Sequence, residues 1–431
     1  MKRLNGITLP FRKITDMKPI QPIGTPRYVR LPMLMHKGTP CVPAVSEGEH
    51  VAVGQVIGRA EDAQAAPIHA SVSGTVTALT EFTAEDGSAV PCVEIRADRD
   101  QVLSPDCKPP KAETKAEFIA AVQASGGVGL SGAGVPTAQK LAAADSFDIL
   151  IVNGAECDPA LSADCRLMTE TPQDVLDGIS WIMKMLKIRE VRIGIMKDKI
   201  AAIKTMSDLC STQKGITVCP LPAVYPQGAE KVVVFHTCGR IIPEDQTAAD
   251  LHILVLNVST CAFIGQYMQT GIPLIERTVT VTGSAVRKPG NYRVPVGTPV
   301  MNVLDAAGCE LETVNMLLNG GMMMGSCITD LNAPVLRQQN GLVAMKKYRP
   351  PKKSPCIRCG RCMQVCPMGL MPLKLEEAYE KQDLQALRKL HVSLCMNCGC
   401  CSYICPAHRP LAATNLLAKA ILPENAEGEQ K

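Results

Sequence analysis

Phe147–Asn153, "FDILIVN", and Leu251–Val258, "LHILVLNV", decide how this chain is read. Both are unbroken apolar runs of strand length, too continuous for a strand with one wet face, and they match parallel strands buried on two sides. Between them the period changes: Pro172–Ile188, "PQDVLDGISWIMKMLKI", repeats as a helix does. Strands alternating with helices predict an α/β domain with a mostly parallel sheet over residues 115–275.

Upstream, Val45–Asp62, "VSEGEHVAVGQVIGRAED", and Pro67–Thr80, "PIHASVSGTVTALT", are short strands punctuated by glycine. The alternation of Val72, Gly74, Val76 and Ala78 fits half-buried strands of a small β barrel-sandwich, assigned to residues 1–110. This part resembles the biotinyl and lipoyl carrier barrels. A carrier would present a lysine at the hairpin, where this chain reads "QAAPIHAS" (Gln64–Ser71), so a structural role is expected and His69 should be packed rather than a ligand. Ser104–Thr114, "SPDCKPPKAET", is a linker. Downstream, Arg277–Gly308 gives alternating strands, a "KPGN" turn and a helix, and residues 276–345 resemble the soluble-ligand-binding β-grasp module. Residues 346–415 form a helical, two-cluster ferredoxin-like domain around "LKLEEAYEKQDLQALRKLH" (Leu373–His391), and residues 416–431, ending in "PENAEGEQK", form a disordered tail. The fold class is thus multidomain α/β.

With 431 residues and 46% apolar content, the chain is globular and large enough for several cores. A net charge of +4 with 3% aromatics gives neither the basic stripe nor the stacking residues of a nucleic-acid binder. The apolar runs fall short of the roughly 18 residues a membrane span needs, and "MKRLNGITLP" lacks a secretory apolar region, so a cytoplasmic protein able to dock on a membrane complex is expected.

Of the 20 cysteines, eight lie in two copies of C-x2-C-x2-C-x3-C-P: Cys356–Pro367, "CIRCGRCMQVCP", and Cys395–Pro406, "CMNCGCCSYICP". Three closely spaced thiolates wrap one cluster, and the fourth, before the proline, reaches across to the other. Cys356, Cys359, Cys362 and Cys405 are therefore assigned to one 4Fe-4S cluster, and Cys395, Cys398, Cys401 and Cys366 to a second. Zinc is the competitor, although its sites usually pair two C-x2-C hooks without a third cysteine at the same interval. Cys400 is out of register and is read as a non-ligand. The other cysteines are expected to be mostly small buried apolar residues in a reducing compartment. The basic run Lys346, Lys347, Arg349, Lys352, Lys353, Arg358 and Arg361 either offsets cluster charge and guides an acidic electron carrier or is a solvated linker.

The remaining motif is Gly126–Thr137, "GGVGLSGAGVPT". It contains G-x-G-x-x-G, yet "AEFIAAVQAS" before it reads as helix, which is not the Rossmann context. Its glycines would still let backbone N–H groups approach a phosphate, with Lys140 adding charge.

This loop, "DILIVNGAECDPALSADCRLM" (Asp148–Met168), "YPQGAEK" (Tyr225–Lys231), "NVST" (Asn257–Thr260), the β-grasp module and the paired cysteine motifs occur in an order that resembles the RnfC family, the cytoplasmic electron-input subunits of Rnf complexes. The likeness runs from about Lys18 to about Ala413, and the central part is similar to the flavin subunit of respiratory complex I. The resemblance implies FMN on the α/β domain, NAD(H) as hydride substrate, and one-electron passage through the clusters. It implies that Gly127, Gly129, Gly132, Gly134 and Lys140 surround the flavin or its phosphate, and that Asn153 and Glu156 face it from a strand end. Tyr225, Gly228 and Glu230 would line the flavin and nucleotide cleft, with Asn257 and Thr260 at a phosphate-side turn. It also implies the other subunits of an Rnf-type membrane complex and a ferredoxin-side carrier as partners, no nucleic acid, and a place on the inner face of the cell membrane with coupling to ion transport. Two positions depart from the family loop "GGAGFPT": Ser131 replaces a glycine and Val135 a phenylalanine that helps to stack the adenine of NADH in the complex I relatives. A soluble reductase relative serving a corrinoid or amino-acid reductase, and an iron-sulfur adaptor without NADH activity, are the alternatives.

Overall fold

The computed structural model describes residues 4–9, 14–84 and 87–422. The expected tail segment Pro423–Lys431 lies outside them.

"FDILIVN" and "LHILVLNV" become the strands Ile149–Gly154 and Ile253–Asn257, adjacent and parallel, with Asn153 opposite Asn257. Glu190–Met196 and Ile216–Leu221 extend the sheet on the far side of Ile149–Gly154, and every pairing is parallel. The runs are continuously apolar because both faces are covered. Leu150, Val152, Leu254 and Leu256 join the core beneath the helices Pro172–Leu186 and Val258–Thr270, whereas Ile149, Ile151, Ile253 and Val255 pack on the other side against Val233 and Val234 of the helix Glu230–Cys238. The chain lays down Ile149–Gly154, moves out to one side, and returns to pair Ile253–Asn257 on the opposite side. That reversal leaves a crevice at the carboxyl ends of the two strands, where open α/β sheets bind ligands.

The barrel-sandwich consists of an antiparallel sheet of Tyr28–Pro32, Ala89–Ala97, Gly74–Thr83 and His50–Val51, facing a smaller one of Val42–Pro43, Val56–Arg59 and Ile68–His69. Leu31, Met33, Ile57, Ile68, Val76 and Ile95 fill the space between them.

The β-grasp sheet runs in the order Ile20–Pro22, Gly290–Pro295, Glu276–Thr282, Gly341–Met345, Met316–Asn319, Ser326–Cys327. Its edge strand Ile20–Pro22 comes from the segment assigned by sequence to the barrel, a pairing across some 270 residues for which no local signal exists.

In the last domain the single helical stretch expected at Leu373–His391 is two helices, Pro372–Glu380 and Leu384–Lys389. Gln382 takes a left-handed φ of 54° and the Asp383 side chain caps the second helix through the Ala386 N–H, so the break follows from a cap residue inside an otherwise helical pattern. The helix Leu411–Ala420 also continues past residue 415, into the segment read as tail. Among the described residues no helix is long and apolar enough to cross a membrane.

Candidate flavin and iron-sulfur sites

The helix expected before the glycine loop is Lys115–Ala124, opened by a reciprocal cap between Thr114 and Glu117. The loop that follows is pinned by its own backbone and by its neighbours. Gly129 N–H donates to Val135 O (2.8 Å), Gly134 N–H to Gly129 O (3.1 Å) and Thr137 N–H to Gly127 O (2.9 Å). Leu130 N–H donates to Thr260 Oγ1 (3.2 Å), and the buried Arg277 guanidinium donates to Leu130 O (2.8 Å). Burial lowers the Arg277 pKa to about 10, which leaves it cationic under the loop at neutral pH.

The glycines of the motif divide into two kinds. A side chain at Gly127 would strike the Phe263 ring, so that glycine serves packing, whereas a Cβ would stand in open space at Gly132 and make no more than ordinary van der Waals contact at Gly129, Gly134 and Gly228. At the loop's other flank, Lys37 N–H donates to Gly134 O, and the fully buried Arg337 donates to Ala66 O (3.3 Å) and Pro67 O (2.6 Å) of the barrel. His69 is packed, as expected of it; burial and then the Arg337 charge push its pKa down to about 3, so it stays neutral.

Asn257 caps the helix Val258–Thr270 by accepting the Ser259 N–H, and its Nδ2 donates to Asp164 Oδ2 (2.7 Å). Ser259 Oγ donates to the other Asp164 oxygen (2.5 Å). Half-buried beside Glu156, Asp164 has its carboxyl raised to about 6, chiefly by desolvation and next by the Glu156 charge. Asn153, on the adjacent strand end, donates to Gly228 O (2.8 Å).

Lys140 reaches Val255 O (3.4 Å), midway along the edge strand Ile253–Asn257, and lies 3.8 Å from Glu230, the first residue of the helix that follows Gly228. Glu156 behaves differently from the other candidates. Its carboxylate accepts the Asp164 and Cys165 N–H groups at the start of the helix Ala163–Glu170 and pairs with buried Lys199 at 3.3 Å, so its oxygens are committed inside the protein. The structure thus gathers the glycine loop, Lys140, Asn153, Gly228, Glu230, Asn257 and Thr260 at the strand-end crevice, while Glu156 braces the wall behind it.

Open glycines, a capped helix N-terminus of 13 residues and two cations suit an anionic phosphate. The buried Thr137 hydroxyl and Gln227 Oε1, neither with a hydrogen-bond partner among the described residues, add a donor and an acceptor for a ring system. The residues present therefore fit FMN.

The cysteines separate into two groups of four. One cavity, of about 320 Å³, is lined by Cys356, Cys359, Cys362 and Cys405 together with Ile357, Arg358 and Arg361. A tighter one, of about 20 Å³, is lined by Cys366, Cys395, Cys398 and Cys401, with Cys400 pressed in beside Cys398. The crossing of Cys366 and Cys405 follows from two short helices, Arg361–Gln364 and Cys400–Tyr403, that pack together and carry each fourth thiol to the partner motif. The thiols are not drawn to a point: among the described residues no three His, Cys, Asp or Glu side chains are close enough to hold one metal ion. A four-iron cluster does not require that, since its ligands stand at the corners of a cubane.

The two groups differ in their surroundings. The first opens to solvent, with Cys359 exposed and Ile357 68% accessible. The second is covered by Ile7, Tyr225, Cys157 and Met323. Cys400 Sγ lies 3.8 Å from Tyr225 O, Gln227 N–H donates to Cys157 Sγ (3.3 Å), and Gly228 follows at Asn153. Three residues of chain, at most about 11 Å when extended, therefore connect the flavin-side crevice to the second thiol group.

The "GGMMMG" turn (Gly320–Gly325) closes this junction: Asp158 accepts the N–H groups of Met322 (3.1 Å) and Met323 (3.0 Å), and Met323 O stands against Gly399. Sequence reading had no role for Asp158, Asp164, Ser259, Arg277 or Arg337. Asp158 and Asp164 lie within the quoted stretch Asp148–Met168 and Ser259 within "NVST", but their partners come from distant segments.

Of the basic run, Lys346 pairs with Glu310 and Lys353 with Glu376, Arg358 and Arg361 line the first thiol group, and Lys347, Arg349 and Lys352 are exposed. Among the remaining cysteines, Cys41, Cys92, Cys165, Cys210, Cys261 and Cys400 are buried and Cys327 is exposed, and none of these forms a disulfide.

Comparison with known proteins finds four family models along the chain. Family models match for the RnfC barrel sandwich hybrid domain (residues 2–100), the Nuo51 FMN-binding domain (122–266), the SLBB domain (278–325) and the 4Fe-4S dicluster domain (355–408). One subunit of the ion-translocating oxidoreductase complex of Rhodobacter capsulatus is 38% identical over 423 residues, covering 96% of this chain and 81% of the relative. The chain belongs to the RnfC family.

A second family member, from the Na(+)-translocating ferredoxin:NAD(+) oxidoreductase complex of Acetobacterium woodii, is 35% identical over 384 residues, with 86% of each chain covered. The proton-translocating counterpart of Clostridium ljungdahlii is 35% identical over 385 residues, covering 88% of this chain and 84% of the relative. Among solved structures, the NAD+-reducing [NiFe]-hydrogenase in the air-oxidized state shares the fold at a TM-score of 0.50 and 17% identity, over 72% of this chain and 61% of that one. As an RnfC-family chain, this protein carries an FMN-binding domain and a dicluster domain for two 4Fe-4S clusters.

Proposed function

We propose that this chain is the electron-input subunit of an Rnf-type complex, passing electrons between NADH and a ferredoxin-side carrier through FMN and two 4Fe-4S clusters, in a complex coupled to ion transport. The observation that carries this reading is the junction at Tyr225–Gly228, where one segment touches both the strand-end crevice and the second thiol group. FMN, when bound, exchanges two electrons with a nicotinamide and single electrons with a cluster.

The chain's own residues set up that exchange. Gly129, Gly132, Gly134 and Gly228 leave the backbone bare for close approach. Lys140, Arg277 and the Asn257-capped helix supply positive potential for the phosphate. Cys366, Cys395, Cys398 and Cys401 hold the cluster nearer the crevice, and Cys356, Cys359, Cys362 and Cys405 the one at the surface, rimmed by Arg358 and Arg361. That rim suits an acidic one-electron partner. Attachment to the inner face of the membrane would come through the other subunits of the complex, because the described helices cannot span a bilayer.

Anaerobic titration of the reconstituted protein with NADH, following flavin and cluster absorbance together, tests the reading. Bleaching of both is expected. Bleaching of neither, with dithionite still effective, would leave the iron-sulfur adaptor reading that the missing ring at Val135 favours.

A further inference from the structure

Tyr225 differs from the rest of the flavin-side segment in which way it is committed. Its backbone exchanges two hydrogen bonds with Ile7, both 2.9 Å, and its carbonyl also meets Cys400 Sγ at 3.8 Å. The residue is 4% exposed and packs in one apolar group with Ile7, Cys398 and Cys400, against Cys157, Met323 and Met396. Its hydroxyl is out of contact with water and has no hydrogen-bond partner among the described residues. A buried O–H left without an acceptor forfeits the hydrogen bond it made to water, so a position like this implies an acceptor.

The ionisable groups whose charge acts on the phenol include Cys157, Cys398 and Cys400, which pack with it, and Asp158. Three of them are engaged elsewhere. Asp158 receives the N–H groups of Ala160, Met322 and Met323, Cys157 Sγ receives that of Gln227, and Cys400 Sγ is turned to the Tyr225 carbonyl. The fourth, Cys398, is hydrogen-bonded to the neighbouring Cys400 thiol and belongs to the second group of thiols, so the acceptor left for the phenol is the sulfur of the group those thiols hold. Sulfur that ligates iron carries negative charge and accepts hydrogen bonds, and such bonds are among the levers that set a cluster's potential.

We propose that the Tyr225 hydroxyl donates a hydrogen bond to a sulfur of the cluster held by Cys366, Cys395, Cys398 and Cys401, so that Tyr225 is a positioning residue that raises that cluster's potential relative to its surface neighbour. The inference rests on the reading that these four thiols hold a 4Fe-4S cluster. Its physical content is simple: reduction adds negative charge to the cluster, a donor stabilises that charge, and the cluster beside the flavin crevice becomes the easier one to reduce.

The test is an EPR-monitored redox titration of the full-length, cofactor-loaded chain, wild type against Tyr225→Phe. Phenylalanine keeps the ring and its packing and removes only the O–H. One cluster's midpoint should move to more negative potential while the other's and the FMN content stay as in wild type. In a Cys359→Ala background, which retains the inner cluster, the same shift should persist. Unmoved midpoints, an equal shift of both, or loss of FMN with unmoved midpoints would overturn the proposal. A wild-type protein that binds no pair of clusters would instead overturn the reading beneath it. Should Tyr225→Phe fail to retain its clusters, 3-fluorotyrosine installed in place of Tyr225 supplies a stronger donor of nearly the same shape. The midpoint should then move the opposite way, to more positive potential, and its staying in place would also overturn the proposal.

Discussion

The glycine loop at residues 126–137 is anchored by protein partners on both flanks of an exposed tip at Ser131 and Gly132, whereas residues 355–408 are arranged around the eight thiols they present. Around the loop, Arg277, Thr260, Lys37 and the loop's own backbone supply partners, above a core that runs from Phe118 to Leu274. In the cluster domain the fully assigned core is small: Leu370, Leu375, Ala378, Leu387, Val392 and Ala418. A domain with so little apolar burial relies on its metal for folding energy, while the flavin domain does not. The lesson is that the two cofactors are met by different strategies, a preformed crevice for the flavin and a cofactor-organised scaffold for the clusters.

Removing iron should break this contrast most visibly. Hydrogen exchange on the chelated full-length chain should show residues 355–408 losing protection, with the strands Ile149–Gly154 and Ile253–Asn257 unchanged. Equal protection of both regions would mean that the cluster domain stands on its own core.

A substitution can then weaken the preformed side. The helices Pro172–Leu186 and Val258–Thr270 touch backbone to backbone where Gly178 meets Cys261 O and Gly265 meets Asp174 O. Gly178→Val should force them apart, costing about 3 kcal/mol or more, as overpacking a tight contact does. It should also weaken FMN binding, because the displaced helix begins at Asn257, Ser259 and Thr260. Denaturant midpoints and flavin affinity would report the two effects.

A subtler effect is electrostatic. Asp164 has its folded pKa raised from 3.8 to about 6, so between those values the folded state binds more proton than the unfolded one. Its contribution to stability is therefore full below about pH 4 and lost as pH rises through about 6, by about 2 kcal/mol once partial exposure is allowed for. Comparing wild type with Asp164→Asn across that window should show a difference that grows with pH and then levels.

The smallest effect is at Val135, half-buried in the loop, with its carbonyl already bonded to Gly129. Val135→Phe should lower the KM for NADH several-fold, about 1 kcal/mol for an added ring against adenine, without altering the clusters.

How much of this was legible in the sequence depended on whether the signal was local. The two-faced apolar strands, the cysteine spacing and the packed His69 were readable because each depends on residues a few positions apart. The sheet reversal that creates the crevice was not, since it depends on which side of Ile149–Gly154 the last strand joins. Nor was the pairing of Ile20–Pro22 with Gly290–Pro295, or the burial of Arg277 and Arg337, whose partners lie in other domains. Glu156 shows the limit from the other side: its motif position suggested the flavin, yet its oxygens bond to Asp164, Cys165 and Lys199. The motif around Tyr225 was visible in the sequence, but its contact with Cys400 required the fold.

The account's central claim is that electrons from the flavin reach the inner cluster before the surface one. Single-turnover reduction by NADH, followed by freeze-quench EPR in Cys398→Ser and in Cys359→Ala, tests it most directly. The account predicts that Cys359→Ala still reduces its remaining cluster rapidly and that Cys398→Ser reduces its flavin but not the surface cluster. Rapid reduction of the surface cluster in Cys398→Ser would contradict it.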